Sequence, residues 1–559
     1  MLSFDNYGVV YTPRKLATFV SDLLIDELYD STINNHCDIN ILDPACGEAI
    51  LLEELSKRIS QRSNKKCLCF GIDVDTKVIN KNKQLFDNSK YSFIKQNAIL
   101  PSNKITAHKY WLRRIKNLSC VIANPPWSSE KIFTHDELDK AGYQFGVGQY
   151  DSYVLFIELC LKLVEKGALL AFIIPDSLFS GENKALRKHL LENTEIKVLA
   201  RLGEKLFPNV NRATSVIILR NQKPNQNTKT KCYRLDTDSR KSFLDNALNL
   251  YDDFNNKNHI VLQKRFLENQ NYVFDIDARE DEELLLNKLE KDSINWKKLF
   301  RFGRGVEISK SGAVVTCEHC KMSQGYSKKQ LEIGNKKCQY CGKEISVSQE
   351  NVFSIISTID TPDFTPMYVG ENLHRYKFDG IKYIKPNVKG INYKNEKQYH
   401  PPKILIRKTG LGIYACIDYK STYTSQTIYS VNYLNNQNSV PLEYYLGVLN
   451  SRLIYYYYLK KYGENEWKSH PYLTKDIIFS LPIKSATNGN MDKIFQIAEK
   501  VKLLQKKYDR IIDIQVEQMI MDLYGITKAE IAIITKSLNS LPDLSAINQM
   551  KLKEGELNV

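Results

Sequence analysis

Short apolar runs rich in β-branched residues alternate with helical stretches between about residues 39 and 222. This alternation restricts the fold more than any other feature, because it is typical of a parallel sheet wrapped by helices. The runs lie at 39–42, 67–72, 120–123, 169–174 and 214–219. Sheets of this α/β class bind ligands beyond the carboxyl ends of their strands. We therefore expect the chemically important residues in the loops that follow these runs.

The 559 residues are too many for one hydrophobic core, and their local texture predicts four segments. The α/β pattern occupies 1–225 and ends near a polar run, 221–231, which has no hydrophobic period. We expect a linker or helical connection at 226–298, a mixed, β-rich domain at 299–485 and a helical segment at 486–559. In the last segment, apolar residues three to five positions apart, with one larger gap, predict one long amphipathic helix. These residues are Ile494, Ile497, Val501, Leu504, Tyr508, Ile511, Met519 and Leu523.

The tetrapeptide Asn-Pro-Pro-Trp at 124–127 directly follows the run at 120–123 and is the most specific motif in the chain. The side-chain oxygen of Asn124 and a backbone carbonyl held by the two prolines could accept both N–H hydrogens of an amino group on a planar ring. These hydrogen bonds would draw the nitrogen towards a tetrahedral form whose lone pair can attack. Trp127 offers an aromatic face on which a base can stack. The alternative is a rigid turn between strand and helix, since proline suits any tight loop.

Two further loops carry signals for a small ligand. Residues 41–52 predict a strand, a turn containing Gly47 and a helix, a pattern in which a ligand can approach the backbone closely. Ala49 stands where the second glycine of a Gly-x-Gly pair would lie. The run at 67–72 is followed by Asp73, at the position where α/β folds bind a ribose hydroxyl. Asp75 is better suited to capping the next helix.

Four of the twelve cysteines form two Cys-x2-Cys pairs separated by 17 residues. The pairs are Cys317 with Cys320 and Cys338 with Cys341. This spacing predicts a closed, tetrahedral structural zinc site with no open position for catalysis. Unligated thiols and a redox or iron–sulfur role are the alternatives. The remaining cysteines are too sparse for a disulfide scaffold, which indicates a reducing compartment.

The chain carries 79 Lys and Arg against 64 Asp and Glu, a net charge of +15, which favours nucleic acid or an acidic membrane surface as partner. The best apolar run, 167–174, is far shorter than the roughly 20 residues of a membrane span, and the start does not resemble a secretory signal. We therefore expect no membrane span and a cytoplasmic protein. Residues 371–408 hold ten cations, three acids and five aromatic residues. This mixture suits phosphate contacts, with a solvated surface as the alternative.

These elements together resemble the class I S-adenosylmethionine-dependent methyltransferases, and within them the TaqI-like, gamma-ordered enzymes that methylate amino groups of DNA. Residues 8–13, Gly-Val-Val-Tyr-Thr-Pro, resemble the family's opening motif, and the likeness continues in the family's order over about 220 residues. Later motifs are matched by 150–156, 174–177 and 202–208, and the C-terminal target-recognition domain is matched more loosely by 402–410 and 445–452.

The resemblance implies a role for each motif residue. Asn124, Pro125 and Pro126 would activate N6 of adenine, since a Ser at the first position is commoner for N4 of cytosine. Trp127 and Phe207 would hold the base after it flips out of the duplex. The implied cofactor-binding residues are Tyr11, Thr12, Pro13, Asp43, Ala45, Gly47, Asp73, Asn97 and Asn124. Asn97 replaces the family's usual Asp near the cofactor adenine, and its oxygen can still accept a hydrogen bond from the adenine amino group.

The resemblance thus implies a site-specific DNA adenine-N6 methyltransferase that uses S-adenosylmethionine, with a Rossmann-like catalytic domain at 1–225. The domain at 299–485 would recognise the target and hold structural Zn2+ in a zinc ribbon at 317–341. We expect a monomer on double-stranded DNA, associated with a prokaryotic nucleoid, in a restriction-modification or phage-defence system. A separate restriction endonuclease or defence subunit can be its partner, whereas we expect no fused nuclease ahead of Gly8.

Two alternatives stay open. The Asn-Pro-Pro-aromatic motif also serves methylation of a protein glutamine or an RNA base, although a glutamine methyltransferase does not need a basic, zinc-bearing second half. The chain can also be a non-catalytic DNA-specificity subunit with a decayed cofactor site, which Ala49 and Asn97 would support. Binding of labelled S-adenosylmethionine separates a methyltransferase from such a subunit.

Overall fold

The computed structural model describes residues 11–30, 38–62, 65–102, 104–128, 133–146, 150–208, 210, 212–435, 439–463, 471–553 and 555–557. The chain divides into two compact units. One is Met1–Asp281 with Lys460–Ser469, and the other is Glu282–Leu459 with His470–Val559. The first three residues of the motif predicted at 8–13 lie outside the described residues, whereas Tyr11, Thr12 and Pro13 lie within them.

The first unit contains a nine-stranded sheet. Its strands are β1 (Ile39–Asp43), β2 (Cys67–Asp73), β3 (Tyr91–Lys95), β4 (Cys120–Ala123), β5 (Leu169–Pro175), β6 (Glu195–Gly203), β7 (Thr214–Arg220), β8 (Lys229–Arg234) and β9 (His259–Leu262). They are arranged in the order β3-β2-β1-β4-β5-β7-β6-β8-β9. The strands from β3 to β5 in this order are parallel, and β7 is antiparallel to both of its neighbours.

The predicted α/β class is confirmed, and the five predicted runs are β1, β2, β4, β5 and β7. The sheet differs from the predicted parallel one because β7 runs antiparallel. A second difference lies in the segment predicted as a linker at 226–298, which adds β8 and β9 to the sheet. β8 buries Thr230, Cys232 and Tyr233, and the last two pack into different hydrophobic clusters, so both faces of this largely polar strand are covered.

Helices cover both faces of this sheet. They are α1 (Arg14–Asp30), α2 (Ile50–Arg62), α3 (Thr76–Leu85), α4 (Ala107–Leu112), α5 (His135–Ala141), α6 (Tyr153–Leu163), α7 (Lys184–Asn193), α8 (Thr237–Leu244), α9 (Leu250–Lys257) and α10 (Gln263–Glu268). Successive strand residues point to opposite faces. Leu42 and Val121 accordingly join one hydrophobic cluster, and Ile41 and Ile122 join another. Burial on both faces explains the near-continuous apolar runs and holds the carboxyl ends of the strands in place.

The second unit contains several small sheets. Its strands are β10 (Phe300–Arg304), β11 (Ala313–Thr316), β12 (Ser323–Gly325), β13 (Asn335–Lys337), β14 (Glu344–Ser346), β15 (Val352–Ser354), β16 (Ile356–Ser357), β17 (Thr365–Tyr368), β18 (Lys382–Ile384), β19 (Lys403–Arg407), β20 (Ala415–Asp418), β21 (Tyr423–Thr424) and β22 (Ile428–Tyr433). The sheets have the orders β10-β22-β19-β20, β12-β11-β15, β13-β14 and β16-β18-β17-β21. The predicted β-rich character of this region is confirmed.

Helices complete the second unit. They are α11 (Glu280–Glu290), α12 (Trp296–Leu299), α13 (Lys328–Ile333), α14 (Leu442–Leu449), α15 (Arg452–Tyr462), α16 (Lys475–Ser480), α17 (Met491–Lys506), α18 (Arg510–Tyr524), α19 (Lys528–Asn539) and α20 (Ser545–Asn548). The first residues of α11 and the last turn of α15 are assigned to the first unit. Among all the described residues, no helix is long and apolar enough to cross a membrane.

The prediction of one long amphipathic helix near the C-terminal end is wrong, because the structure has two helices there, α17 and α18. Lys507 leaves the helical conformation, and the Asp509 carboxylate caps α18 by accepting the N–H groups of Ile511 and Ile512. The break changes the buried face of the second helix. Ile511, which was predicted on the apolar face, is 70% exposed, whereas Asp513 and Glu517 are buried.

Two buried arginines in the second unit account for these buried acids. The Arg375 guanidinium lies 2.8 Å from Asp513, and Arg452 lies 2.9 Å from Asp513 and 3.4 Å from Glu517. Burial acts to raise the pKa of Asp513, but the two guanidiniums outweigh it and lower that pKa to about 2. Breaking a buried ion pair on one side commonly costs about 3–5 kcal/mol. The cluster therefore fastens α18 to α15 and to the segment that carries Arg375.

Candidate active site

A pocket opens in the first unit where β1, β2 and β4 end. This edge of the sheet is where the sequence predicted a site. Eight of the nine residues predicted to bind a cofactor line the pocket, and so does Pro126. The eight are Tyr11, Thr12, Asp43, Ala45, Gly47, Asp73, Asn97 and Asn124. Four other predicted site residues are not among the described residues that line this pocket: Pro13, Pro125, Trp127 and Phe207.

Two residues in the left-handed conformation shape the turn between β1 and α2. Gly47 has a φ of 47° and Ala49 has a φ of 61°. Glycine adopts this conformation readily, whereas a side chain makes it less favourable by about 1–2 kcal/mol. Ala49 therefore preserves the turn despite its departure from the Gly-x-Gly pattern. A Cβ atom on Gly47 would lie 3.6 Å from the ring of Tyr11, so the turn and Tyr11 approach each other closely across the pocket.

Asp73 connects the ends of β1 and β2. Its Oδ2 accepts the Gly47 N–H at 2.9 Å, and its Oδ1 accepts the Asp75 N–H at 2.9 Å. Asp75 itself accepts the Lys77 N–H at 2.8 Å and caps α3, as predicted. Each Asp73 oxygen keeps further acceptor capacity, so the carboxylate can hold the glycine turn and still accept a ligand hydroxyl.

Asp43 is a buried carboxyl group in the pocket wall, 1% exposed. Burial raises the pKa of Asp43 to about 8, against the lowering effect of the Ala45 N–H, which donates to Oδ1 at 3.0 Å, and with a further rise from the charge of Asp73. At neutral pH most Asp43 side chains therefore carry a proton. A cation bound nearby would favour the ionised form.

Asn97 has a different hydrogen-bonding role from the predicted one. Its Oδ1 accepts the N–H groups of Ile99 at 2.9 Å and Leu100 at 3.0 Å. These two bonds occupy the oxygen that was predicted to accept from an adenine amino group, because a carbonyl oxygen has two lone pairs. The group left for a ligand is Nδ2, which bonds to none of the described residues. Asn97 can therefore offer a donor where the prediction had an acceptor.

Asn124 follows β4 and is 9% exposed. Its Nδ2 donates to Thr12 Oγ1 at 3.0 Å, and both residues line the pocket. The Thr12 hydroxyl therefore holds the Asn124 amide at the wall of the pocket. The segment before α1 and the loop after β4 thus meet at the wall of the pocket, although they are 112 residues apart.

Two residues that received no predicted role hold the loop after β4. The Ser152 hydroxyl donates to the Pro126 carbonyl and accepts the Ser128 N–H at 3.0 Å. Arg212 donates to the Trp127 carbonyl at 2.7 Å and to the Asp151 carboxylate at 2.8 Å. Ser152 lies in the motif matched at 150–156, so the sequence did carry a signal for it. No motif pointed to Arg212.

The structure brings Trp127 and Phe207 together, as predicted. Their rings, however, are in direct contact with each other and do not enclose a space for a base. Their ring centroids are 5.1 Å apart at an interplanar angle of 82°, an edge-to-face arrangement. Trp127 is 5% exposed and Phe207 is 2% exposed. No gap for a base separates these rings, so the predicted clamp requires them to move apart. The sequence could not distinguish this contact from a pair of rings held open.

The four cysteines predicted to bind zinc converge in the second unit. They are Cys317, Cys320, Cys338 and Cys341, and their Sγ atoms all lie within 4.8 Å of one another. Two of the Sγ–Sγ distances are 3.7 Å. Four sulfur ligands at the usual zinc–sulfur distance of about 2.3 Å would be about 3.8 Å apart. The residues present therefore fit a tetrahedral zinc ion.

Neighbouring donors favour the thiolate form of Cys338 in this cluster. Gln324 Nε2 donates to Cys338 Sγ at 3.2 Å, and the Tyr340 N–H donates to the same sulfur at 3.4 Å. Burial acts to raise the pKa of Cys338, but N–H donors from Cys341, Tyr340 and Gln324 lower it to about 6. A thiolate is the form that binds zinc, so the surroundings suit a metal ligand.

Several residues of the basic stretch at 371–408, for which phosphate contacts or a solvated surface were predicted, are buried or ion-paired. Arg375 and Lys403 are buried, and Lys403 Nζ lies 2.7 Å from Asp418. Tyr376 and Tyr399 are buried as well. Other ion pairs of the stretch include those of Lys377 with Asp379, Lys382 with Glu371 and Lys394 with Glu307. The count of charges within the stretch missed Asp418 and Glu307 because these two acids lie outside it.

Two family models match the chain. One is described as N-6 DNA Methylase and matches residues 3–295, more than half of the chain. The other is described as the TaqI-like C-terminal specificity domain and matches residues 365–483. The first match contains every residue that lines the pocket. The second follows the cysteine cluster along the chain.

Curated relatives share part of the chain. The type II methyltransferase M.BanIII of Aneurinibacillus aneurinilyticus is 27% identical over 211 residues, which are 36% of this chain and 36% of the relative. The type II restriction enzyme and methyltransferase RM.BcgI of Heyndrickxia coagulans is 25% identical over 227 residues, 38% of this chain and 31% of the relative. The chain therefore matches about a third of the length of these relatives.

Solved structures share the fold over most of the chain. A nuclease-deletion mutant of the type ISP restriction-modification enzyme LlaGI, in complex with a DNA substrate mimic, has a TM-score of 0.53 at 14% identity, and the match covers 89% of this chain and 55% of that one. The type ISP enzyme LlaBIII bound to DNA has a TM-score of 0.51 at 11% identity, with 90% and 40% covered. These likenesses show the fold alone.

Proposed function

Because the chain belongs to the N-6 DNA methylase family, we propose that it transfers a methyl group from S-adenosylmethionine to N6 of an adenine in double-stranded DNA. The observation that carries this proposal is the placement of Asn124 on the same pocket as Asp43, Gly47 and Asp73. The first belongs to the motif predicted to activate an amine, and the other three to the loops predicted to bind a nucleoside-containing cofactor.

The pocket suits S-adenosylmethionine in its charge. Three carboxyl groups, those of Asp43, Glu48 and Asp73, line the pocket, and no Lys, Arg or His is among its described lining residues. A cofactor with a sulfonium and an ammonium group against one carboxylate is complementary to such a wall. When bound, it supplies a methyl group whose leaving group is a neutral thioether. Asp73 would hold the ribose hydroxyls, and Gly47 would allow close approach of the backbone.

The proposed acceptors for the amino group are two oxygens in the loop after β4. The Asn124 side-chain oxygen would accept one N–H hydrogen, with Thr12 holding the amide in the required orientation. The Pro126 carbonyl already accepts from Ser152, whereas no described residue donates to the Pro125 carbonyl. We therefore assign the second acceptor to Pro125. Two such acceptors would favour a tetrahedral nitrogen with its lone pair directed at the methyl group.

Duplex DNA is the proposed substrate because a specificity-domain model matches residues 365–483. The target adenine would leave the stack to reach the pocket, and Trp127 and Phe207 would separate to hold it. We propose structural Zn2+ on the four-cysteine cluster, whose sulfur spacing fits that ion. We further propose that the protein works as a monomer in the cytoplasm within a restriction-modification system, in which a separate restriction endonuclease or defence subunit can be its partner.

The direct test is incubation with labelled S-adenosylmethionine and genomic DNA that lacks methylation, followed by sequencing that detects modified adenines. The expected result is N6-methyladenine in one repeated sequence context. Label transferred to RNA or to protein glutamine instead of DNA would overturn the proposed substrate. Absence of both transfer and cofactor binding would identify a non-catalytic specificity subunit.

Asn124 provides the residue-level test. Asn124→Ala should abolish transfer while cofactor binding, measured by equilibrium dialysis, and DNA binding remain largely intact. Asn88→Ala is a matched control, because Asn88 is an exposed asparagine of the same unit. This variant should transfer methyl groups at the wild-type rate. Unchanged transfer by Asn124→Ala would contradict the assignment of this residue.

A further inference from the structure

A long segment of the first unit contains no acidic residue. Between Asp87 and Glu130 the chain has seven Lys and Arg residues and no Asp or Glu. At the average of 64 acids in 559 residues, about five would be expected over these 42 positions. The cations are Lys90, Lys95, Lys104, Lys109, Arg113, Arg114 and Lys116. All except Lys90 are exposed. The segment includes β3, α4 and β4 and ends at the proposed catalytic motif.

These cations lack acidic partners of the kind that several other cations of the unit have. Arg58, Arg62 and Lys188 each form an ion pair with a carboxylate. By contrast, within the part of the chain that the structure describes, none of the seven cations between Asp87 and Glu130 forms an ion pair. Their charge is therefore left to solvent and to any anion that approaches. We call the part formed by Lys104, Lys109, Arg113, Arg114 and Lys116 the α4 surface.

The α4 surface contains a guanidinium that is already ordered. Arg114 lies 3.7 Å from the centroid of the Tyr110 ring and donates to the Tyr110 carbonyl at 3.2 Å. Such stacking reduces the side-chain freedom that would be lost on binding an anion. Positive charge at the α4 surface also affects a neighbouring histidine. Burial lowers the pKa of His108, and the positive charges of Lys162 and Lys109 lower it further.

The α4 surface is connected to the wall of the pocket. Gln96 Nε2 donates to the Tyr110 hydroxyl at 3.3 Å, and Trp111 Nε1 donates to the Ala98 carbonyl at 2.9 Å. Gln96 and Ala98 both line the pocket. A polyanion held by the α4 surface would therefore lie against the same packed segment that lines the proposed cofactor site.

We propose that the α4 surface binds the phosphate backbone of duplex DNA outside the target base pair. That the polyanion is DNA rests on the proposed function. Where it binds rests on the exposed, unpaired charges of the α4 surface. Contacts of this kind fix the register of a duplex but carry no sequence information. The α4 surface would thus increase affinity for DNA of any sequence, while specificity would come from another part of the protein.

The test is the triple variant Lys109→Ala, Arg113→Ala, Arg114→Ala in the full chain. Its affinity for a mixed-sequence duplex several helical turns long is measured by fluorescence anisotropy over a range of salt concentrations. Each lost phosphate contact reduces the slope of log affinity against log salt by about 0.9, and three contacts reduce it by about 2.7. At about 0.1 M salt this corresponds to roughly eightfold weaker binding for each contact.

The matched control is Lys184→Ala, Lys188→Ala, Lys264→Ala, which removes three other exposed lysines of the same unit. It should leave the slope close to that of the wild type. Both variants should keep the wild-type melting temperature and cofactor affinity. An unchanged slope in the α4 variant, an equal loss in the control, or tighter binding of an RNA duplex would overturn the proposal. Because binding is measured without turnover, failure of methyl transfer in the wild type would be a separate result.

Discussion

Replacement of Asp43 by asparagine should stabilise the first unit at neutral pH and have little effect near pH 4. The asparagine side chain would be nearly the same size and would keep an oxygen to accept the Ala45 N–H, which donates to Asp43 Oδ1 at 3.0 Å. The substitution removes the ionisation of a fully buried carboxyl and exchanges one of its oxygens for an amide nitrogen. The effect on stability therefore follows from the difference between the folded and unfolded pKa of this one group.

The sign and size of the effect come from the pKa of about 8 in the folded protein and the ordinary value of 3.8. The folded state holds the Asp43 proton more tightly, so its stability falls as pH rises from about 3.8 towards about 8. At about 1.36 kcal/mol for each pKa unit, the penalty is on the order of 2 kcal/mol near pH 5 and 4 kcal/mol near pH 7. Asp43→Asn removes this penalty, and the gain in stability should grow across that range.

Urea unfolding at a series of pH values measures this gain. Pulsed hydrogen exchange in peptides from β1 and β2 reports the first unit by itself. Asp87→Asn is the control, because Asp87 is an exposed acid whose pKa is lowered by the Ser89 N–H, so its loss should give no stabilisation at neutral pH. A difference between Asp43→Asn and the wild type that does not change with pH would refute the reasoning.

Two further predictions concern the second unit. Cys338→Ser should lower the zinc content measured by elemental analysis and raise hydrogen exchange near the cysteine cluster, without a change in cofactor affinity; full zinc occupancy in this variant would contradict the ligand assignment. Asp513→Ala should lower the free energy of unfolding of this unit by about 3–5 kcal/mol, because it leaves the buried guanidiniums of Arg375 and Arg452 short of a carboxylate. Urea unfolding measures this loss, and a value similar to that of the exposed control Asp492→Ala would argue against a structural role for the cluster.

Features that are encoded by a local sequence pattern were predictable from the sequence. The apolar runs at β1, β2, β4, β5 and β7 were recognised because strands covered on both faces are apolar along their length. The spacing of Cys317, Cys320, Cys338 and Cys341 was informative for a similar reason, since short Cys-x2-Cys turns bring two sulfurs together by themselves. Most of the predicted pocket residues met at one edge of the sheet because strand ends in this fold class converge there.

Features that depend on distant partners were not predictable. Arg375 and Lys403 counted as surface charge until the structure placed Asp513 and Asp418 beside them. Arg212 shows the same limit, because its contacts with Asp151 and Trp127 join residues far apart in sequence. The break between α17 and α18 had a local signal in Asp509, an aspartate suited to capping a helix, but the apolar spacing on either side concealed it.

The buried charge cluster also limits how the segment matched by the specificity-domain model could be exchanged between relatives. The specificity-domain model ends at residue 483, which suggests a cassette that could be cut and replaced there. Asp513, which lies beyond that end, neutralises Arg375 within the matched stretch, and the Tyr524 hydroxyl donates to the Pro482 carbonyl at 2.7 Å. A graft that stops at 483 would separate a buried cation from its counterion. The transferable module therefore extends at least through α18, and recombination during evolution should preserve the same longer block.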